Sequence, residues 1–167
     1  MNRVWGWVFG RPLVTTPSNF GALGDPPSHP ELLDDLAARF VANGWSAKWL
    51  VREMVLSATY RQASTHDDEA ARRDADDRWL WRAPRRRLEV EQWRDAMLQV
   101  SGKLDLNGGG PSDDLDGKNP PVRRTVYGKV SRQRASDVHR LFDLPDAKAH
   151  GEKREPTITP LQQLYFL

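Results

Sequence analysis

The stretch from Ser28 to Gln62 constrains the fold most, because it has the pattern of two amphipathic helices joined by a tight turn. Apolar residues in its first half recur at three- and four-residue steps, and charged residues occupy the opposite face. Asn43-Gly44 is typical of a helix end, since glycine adopts a left-handed conformation at little steric cost. Ser46 is the expected N-cap of the second helix. Two helices so close in sequence are expected to pack as an antiparallel hairpin.

The start of this hairpin has the spacing of a capping box. Ser28 lies three residues before Glu31, so the Ser28 hydroxyl is expected to accept the Glu31 amide proton while the Glu31 carboxylate reaches back to the Ser28 amide. Pro30 stands in the first turn, where its missing N–H costs no hydrogen bond. We therefore predict a structural role for Ser28 and Glu31.

The rest of the chain predicts further helix and little strand. A third amphipathic helix is expected from about Glu89 to Ser101, with Leu88, Trp93 and Met97 facing inward. Residues 125–130 alternate loosely and are the one strand candidate. Segments rich in glycine and proline predict long ordered loops. The expected fold is mainly α: a compact helical domain built on the antiparallel hairpin, with a small β element near residues 125–130.

Length and composition predict the domain organisation. The chain has 167 residues, of which 38% are hydrophobic, which suffices for one modest core and hence a single domain over residues 1–167. Residues 66–77 lack apolar periodicity and are predicted to be a mobile surface segment. A capped helix opens at Thr159 and stops without a C-cap, so we expect a truncated C-terminal helix and a fragment of a larger protein. No apolar run is long enough to predict a membrane span.

Many short motifs in the same order resemble one family, the domain of unknown function 1553 of planctomycete-type proteins. The motifs are Asn2-Arg3-Val4-Trp5, Phe9-Gly10, Thr16-Pro17 with Phe20-Gly21, residues 27–33 (PSHPELL), residues 57–61 (SATYR), Arg86-Arg87-Leu88 with Glu91, Arg94 and Asp95, residues 142–146 (FDLPD) and residues 159–162 (TPLQ). The resemblance covers essentially the whole chain.

The resemblance implies a context more than an activity. It implies a large exported protein, in the periplasm or at the cell surface, in which this domain accompanies other domains and often a cytochrome-c-like module. The chain has no cysteine and therefore no haem attachment motif. We expect no cofactor within this chain, with haem confined to a missing neighbouring domain.

A cluster of histidine and acidic residues near the C-terminus is the candidate for chemistry. His139, Asp143 and Asp146, with His150 nearby, have the composition of an acid/base or divalent-metal site. His139 and Asp143 are four residues apart and would share one helix face, which makes them the metal candidates. Asp146 follows Pro145 in an expected turn, where aspartate is common for structural reasons. A structural role is the simpler interpretation of this cluster.

Arginine residues form the candidate ligand surface. Guanidinium groups bind carboxylate, sulfate and phosphate, and tryptophan faces stack on sugar rings. The candidate set for an anionic polysaccharide is Arg85, Arg86, Arg123, Arg124, Arg132, Trp79 and Trp81. The second helix of the hairpin carries few cations, which gives nucleic-acid binding little support. The structural alternative is a network in which Arg87 and Arg94 pair with Glu91 and Asp95.

Three functional hypotheses follow. The first is a non-catalytic scaffold or binding module of a large exported bacterial protein, which contacts other domains of the same polypeptide and an anionic polysaccharide through the arginines. The second is part of an enzyme, metal-assisted or acid/base, around His139, Asp143 and Asp146 and completed by missing segments. The third is a docking domain beside a haem module, which rests on family analogy alone.

Overall fold

Helices dominate the part of the chain that the structure describes, as the mainly α prediction required. This structure is a computed structural model, and it describes residues 1–131, 133, 135–145, 148, 151, 154 and 156–166. The helices are α1 (Asn2–Phe9), α2 (Pro30–Ala42), α3 (Ala47–Leu56), α4 (Ala58–Arg61), α5 (Asp68–Arg73), α6 (Val90–Val100), α7 (Asp137–Leu141) and α8 (Pro160–Tyr165), with a 3₁₀ turn at Thr125–Tyr127. None of the described helices is long and apolar enough to cross a membrane.

Contacts divide the chain into two compact units, Met1–Arg86 and Arg87–Leu167. The core of the N-terminal unit lies between α1, α2 and α3, and its fully buried residues are Trp5, Phe9, Leu13, Leu36, Leu50 and Met54. The Trp5 and Phe9 rings stack with 4.1 Å between centroids. The amide side chain of Asn2 donates to the Val14 carbonyl and accepts from the Val14 N–H, at 2.9 and 2.8 Å. This clamp fixes the loop that follows α1.

The hairpin formed by α2 and α3 has the predicted turn, but its first cap differs. Gly44 has φ +67°, and the Ser46 hydroxyl accepts the Trp49 amide at 3.2 Å. The predicted capping box between Ser28 and Glu31 is wrong: His29 is the N-cap, and the Ser28 Oγ lies 2.9 Å from His29 Nδ1. Pro30 is the first helical residue, so Ser28 stands one position too early to cap the helix.

A helix occupies part of the segment 66–77, where the absence of apolar periodicity predicted none. The Asp67 carboxylate accepts the Ala70 amide at 2.8 Å and caps α5. Acidic residues fill the first turn of α5 and basic residues its last turn, and Glu69 pairs with Arg73 across one turn. This helix is stabilised by its cap and its charges, which hydrophobic periodicity does not detect. The mobility of the segment stays a prediction.

In the C-terminal unit, α6 is present as predicted, but the face that it buries is different. Val90 is 2% exposed, whereas Leu88 and Met97, predicted to face inward, are 55% and 53% exposed. The side chains of Glu91 and Arg94 are instead half-buried, because they bind residues of the segments that pack on α6. The prediction failed for Leu88 and Met97 because much of the contact surface of α6 is polar, whereas Trp93 is half-buried and its ring centroid lies 4.4 Å from that of Phe166.

The predicted β element near residues 125–130 is wrong. Residues Thr125–Tyr127 form a 3₁₀ turn, and Gly128 takes part only in an isolated β-bridge with Asp113. The Thr125 N–H and hydroxyl both donate to the Asp95 carboxylate, at 2.6 and 2.7 Å. These bonds hold the segment against α6 and leave the Thr125 amide unavailable for a strand ladder.

Candidate functional site

His139 is buried and hydrogen-bonded within the protein. Its imidazole is 3% exposed, its Nδ1 lies 2.9 Å from Ser136 Oγ, and its Nε2 lies 3.5 Å from Glu91 Oε1. Ser136 is also the N-cap of α7, because its hydroxyl accepts the His139 amide at 3.2 Å. A buried imidazole that bridges a cap and a carboxylate orients a helix, which is a structural role.

The charges around His139 are balanced by one arginine. Arg154 donates to both oxygens of Glu91, at 2.9 and 2.7 Å. Burial pushes the pKa of Glu91 up, but the hydrogen bonds and charge of Arg154 outweigh it and hold that pKa below its usual value. Burial lowers the pKa of His139, against the opposing attraction of Glu91. His139 is therefore favoured as the neutral imidazole.

Asp143 is also fully engaged. Its carboxylate accepts the Thr157 amide at 2.7 Å, the Thr157 hydroxyl at 2.8 Å and the Gln162 amide at 3.2 Å. Burial opposes ionisation, but the bonds from Thr157 and Gln162 prevail and lower the pKa of Asp143. Asp143 also has φ +60°, a conformation that aspartate tolerates at a cost. Its role in the described structure is to hold the loop before α8.

The described residues do not assemble the predicted metal site. Asp146 and His150 lie outside the described residues, and no group of three histidine, cysteine or acidic residues suited to a metal occurs within the described part. His139 and Asp143 are each bound to other protein groups. The roles proposed for His139, Asp143 and Asp146 in catalysis stay predictions.

Gln162 is the residue of this region that sequence reasoning undervalued. It is 1% exposed, and its amide donates to the Leu141 carbonyl at 2.8 Å while its oxygen accepts from Arg87 at 3.3 Å. Thr159 and Gln162 also form the predicted capping box of α8. The capping-box signal identified the residue, but nothing in the sequence indicated that one amide would join α7, α8 and Arg87.

The structural network predicted around α6 exists, with different partners. Arg87 donates to the Thr157 carbonyl at 3.1 Å, and Arg94 donates to the Thr125 hydroxyl at 3.0 Å and to two further carbonyls. Asp95 accepts from Thr125 and from Arg124. Burial raises the pKa of Asp95, but the Thr125 and Arg124 hydrogen bonds lower it overall. The charged side chains of α6 therefore form their hydrogen bonds with residues outside the helix rather than with one another.

The candidate ligand arginines of the C-terminal unit are largely committed to the protein. Arg123 donates to Asp113 at 2.8 Å and to the Pro111 carbonyl at 2.8 Å, and its guanidinium lies 4.8 Å from the centroid of the Tyr127 ring. Arg124 contacts Asp95 at 3.3 Å and is more exposed. Arg132 lies outside the described residues. Arg123 therefore holds the glycine-rich loop at residues 108–111 in place.

The candidate arginines of the N-terminal unit also donate to backbone carbonyls. Arg85 donates to Ser64 at 3.2 Å, and Arg86 donates to Trp7 at 2.7 Å. The side chain of Arg86 packs beside Gly10, where an added Cβ would lie 2.6 Å from its Cδ. Both arginines therefore fix the chain at the end of the N-terminal unit.

Trp79 and Trp81, in contrast, line an open cleft of the N-terminal unit. This tryptophan cleft has a volume of about 400 Å³, and its lining residues are Asp67, Glu69, Ala70, Arg73, Asp74, Trp79 and Trp81. Trp79 is 63% exposed, and the Arg78 guanidinium lies 5.7 Å from its ring centroid. Trp81 is half-buried, with Arg82 at 4.7 Å from its ring. A large exposed aromatic face beside carboxylates is a typical ligand surface.

Asp74 holds the turn that carries Trp79. Its carboxylate oxygens accept the Arg78 amide at 2.9 Å and the Trp79 amide at 2.7 Å. Its carbonyl accepts the Trp81 indole N–H at 2.9 Å. One aspartate therefore fixes the backbone on both sides of the exposed indole.

A second cleft of the N-terminal unit adjoins the first. This arginine cleft has a volume of about 280 Å³, and its lining residues are Trp5, Arg11, Pro12, Leu13, Thr15, Asp25, Pro26, Ser28, His29, Asp77, Arg78 and Leu80. The His29 ring lines the arginine cleft and the Trp79 ring lines the tryptophan cleft. The two rings meet edge-on, with 5.1 Å between their centroids, and so form a common wall between the clefts. The sequence did not predict this cleft, because its lining residues come from three separate segments, 5–15, 25–29 and 77–80.

Two residues of the arginine cleft have strained backbones. Asp77 and Leu80 have φ +54° and +55°. Aspartate adopts this left-handed conformation comparatively readily, but it costs a leucine on the order of 1–2 kcal/mol, and such strained residues cluster at functional sites. The Gln62 side chain donates to the Leu80 carbonyl at 2.6 Å and holds this conformation.

Comparison with known proteins gives a family and no characterised relative. No curated protein and no solved structure matches the chain. The profile of one family, described as "PSD1: Protein of unknown function (DUF1553)", matches residues 1–167. Because the match spans the whole chain, the protein belongs to the DUF1553 family.

Proposed function

We propose that this chain is a non-catalytic binding module that recognises a polysaccharide, and that the tryptophan cleft is its binding site. The observation that carries the proposal is the exposed indole face of Trp79, held by Asp74 at the edge of an open cleft. Trp7 is equally exposed, so what distinguishes Trp79 is its position in a cleft together with a second tryptophan and several charged side chains.

The chemistry of the cleft suits a sugar. The C–H face of a pyranose ring packs on an indole, while its hydroxyl groups donate to carboxylates and accept from guanidinium groups. Asp67, Glu69 and Arg73 supply such groups around Trp79 and Trp81. A polysaccharide also fits the extracytoplasmic location that the family resemblance implies, where other domains of the same polypeptide would be further partners.

The enzyme alternative has weaker support. A general acid or base needs an accessible proton-transfer atom, and His139 is 3% exposed with both ring nitrogens facing protein groups. Asp143 binds Thr157 and Gln162 through its carboxylate. The placement of these groups favours a structural role in the C-terminal unit.

The test is a binding measurement with matched variants. Isothermal titration calorimetry with hydroxyethyl cellulose, polygalacturonate and heparin would compare the wild-type chain with Trp79→Ala and with Trp7→Ala. Trp7 is equally exposed, at 66%, and lines neither described cleft. We expect Trp79→Ala to weaken binding of the preferred polymer by about 30-fold, as for a central aromatic anchor, and Trp7→Ala to leave it unchanged. Equal binding by both variants, or no binding to any polymer by the wild type, would contradict the proposal.

A further inference from the structure

We propose that the arginine cleft binds the carboxylate of a uronic-acid residue in the polymer whose neighbouring sugar stacks on Trp79. This inference rests on the proposed function and names the chemical class of its ligand. The cleft and the exposed indole share a wall, since the His29 ring, which lines the arginine cleft, contacts the Trp79 ring. Adjacent sugars of one chain would therefore reach both clefts.

The cations of the cleft are available for an anion. Arg78 forms no ion pair or side-chain hydrogen bond with any residue that the structure describes, and its guanidinium lies near the Trp79 face. Arg11 uses one Nη group to donate to the Asp76 carbonyl at 3.1 Å, which orients the guanidinium and leaves its other N–H groups available. A carboxylate bound by two guanidinium groups forms charge-assisted hydrogen bonds, the stronger class.

The remaining polar groups select a carboxylated sugar rather than a sulfated one. Asp25 and Asp77 also line the cleft. Asp25 accepts from the Thr15 hydroxyl and Asp77 from the Arg82 amide, yet both keep further lone pairs that can accept from sugar hydroxyls. Two carboxylates would repel a densely sulfated chain, whereas one carboxylate among hydroxyls matches this mixture of cations and acceptors.

Hydrogen bonds fix the conformation of the cleft in the absence of a ligand. Ser28 hydrogen-bonds to His29 Nδ1 and so orients the ring, and His29 Nε2, which has no hydrogen-bond partner in the described part of the chain, stays available to a ligand. The left-handed residues Asp77 and Leu80 are fixed through the Asp77 carbonyl, which accepts the Leu80 amide at 3.3 Å, and through Gln62. A preorganised site loses less conformational entropy on binding.

The experiment compares each uronic-acid polymer with its own ester. Calorimetry would use polygalacturonate and alginate, the methyl ester of the first and the propylene glycol ester of the second, and dextran sulfate as a sulfated polymer without carboxylates. Esterification removes the charge of the carboxylate and keeps the sugar backbone. We expect the wild-type chain to bind one free acid about tenfold more tightly than its ester, as for a charge-assisted contact, and more tightly than dextran sulfate.

Arginine variants locate the contact. Arg78→Gln and Arg11→Gln are each expected to abolish the tenfold preference while binding of the ester persists. Arg72→Gln, which removes an equal charge from α5 and lines neither described cleft, is expected to keep the preference. If one of the two arginine variants does not fold, the other still tests the contact. The comparison of each acid with its ester uses the wild-type chain.

The outcomes separate the two proposals. Equal binding of acid and ester by the wild type, with loss of both in Trp79→Ala, would overturn the arginine cleft and leave the tryptophan cleft standing. Tighter binding of dextran sulfate, which carries sulfates and no carboxylates, than of both acids would overturn the choice of carboxylate. Binding that is insensitive to Trp79→Ala, or absent for all polymers, would overturn the proposed function itself.

Discussion

The imidazole of His29 meets the indole of Trp79 edge-on, with 5.1 Å between the ring centroids and 80° between the ring planes. The two residues are far apart in sequence, and each lines a different cleft of the N-terminal unit. Their contact makes the two clefts neighbours. The position of the Trp79 indole in this surface depends on the turn that Asp74 holds.

In Asp74→Ala we expect the turn that carries Trp79 to lose its fixed conformation, although the indole side chain is still present. The substitution removes the acceptors of the Arg78 and Trp79 amides, so we expect unfolding to become easier by about 1–2 kcal/mol and polysaccharide binding to weaken. Denaturant unfolding and calorimetry would measure both effects. Asp76→Ala, which changes an exposed neighbour, is the control. Unaltered binding in Asp74→Ala would show that the turn does not position the indole.

Gln162→Ala is expected to be among the most destabilising single changes in the C-terminal unit. The buried amide bonds Leu141, Asp143 and Arg87, and its loss would leave several buried groups without partners, at a cost of about 2–4 kcal/mol. Gln163→Ala changes the exposed neighbour in the same helix and is expected to cost less than about 0.5 kcal/mol. Urea unfolding compares the two variants, and equal costs would contradict the role given to Gln162.

His139 is expected to make stability depend on pH near neutrality. Burial lowers the pKa of folded His139 below its usual 6.5, so the unfolded chain takes up this proton first as the pH falls. The contribution of neutral His139 is present above pH 6.5 and is lost as the pH falls toward the lower folded pKa. His139→Gln is expected to flatten the fall in unfolding free energy as the pH drops below 6.5. An equal slope of unfolding free energy against pH in the wild type and in His139→Gln would contradict this prediction.

Gly10→Ala is expected to cost more than Gly44→Ala. Both glycines have positive φ, at +79° and +67°, so alanine at either is strained by on the order of 1–2 kcal/mol. At Gly10 the added Cβ would also lie 2.6 Å from Arg86 Cδ, whereas at Gly44 it would meet nothing within 4 Å. Arg86 would have to move and would weaken its bond to the Trp7 carbonyl. Thermal unfolding of the two variants measures the difference, and equal midpoints would contradict it.

The helices could be predicted where local rules determine them. Gly44, the Ser46 cap and the Thr159–Gln162 capping box are each encoded within a few residues, and the structure confirms them. The Ser28 cap was predicted wrongly, because Pro30 is the first helical residue and His29 is therefore the N-cap. Helix α5 was missed because charge and capping, rather than an apolar stripe, stabilise it.

The partners of the charged residues could not be predicted from spacing. Glu91 and Arg154 are far apart in sequence and yet form a two-bond pair, and Asp95 binds Thr125. Such pairs depend on how segments pack, which residue spacing does not contain. The two clefts were missed for the same reason, although two of the predicted ligand-binding residues, Trp79 and Trp81, line one of them.

The most direct test of the tryptophan cleft is a ¹H–¹⁵N spectrum of the indole N–H groups during titration with a short oligouronate. The chain has seven tryptophans, of which Trp7, Trp45 and Trp79 are exposed, and replacing each of these three by phenylalanine would assign its signal. We predict that the Trp79 signal shifts in a saturable manner, with a smaller shift of Trp81, while the signals of Trp7 and Trp45, which line neither described cleft, stay in place. A Trp79 signal that does not move while the oligouronate binds elsewhere, or no shift in any signal, would contradict the account.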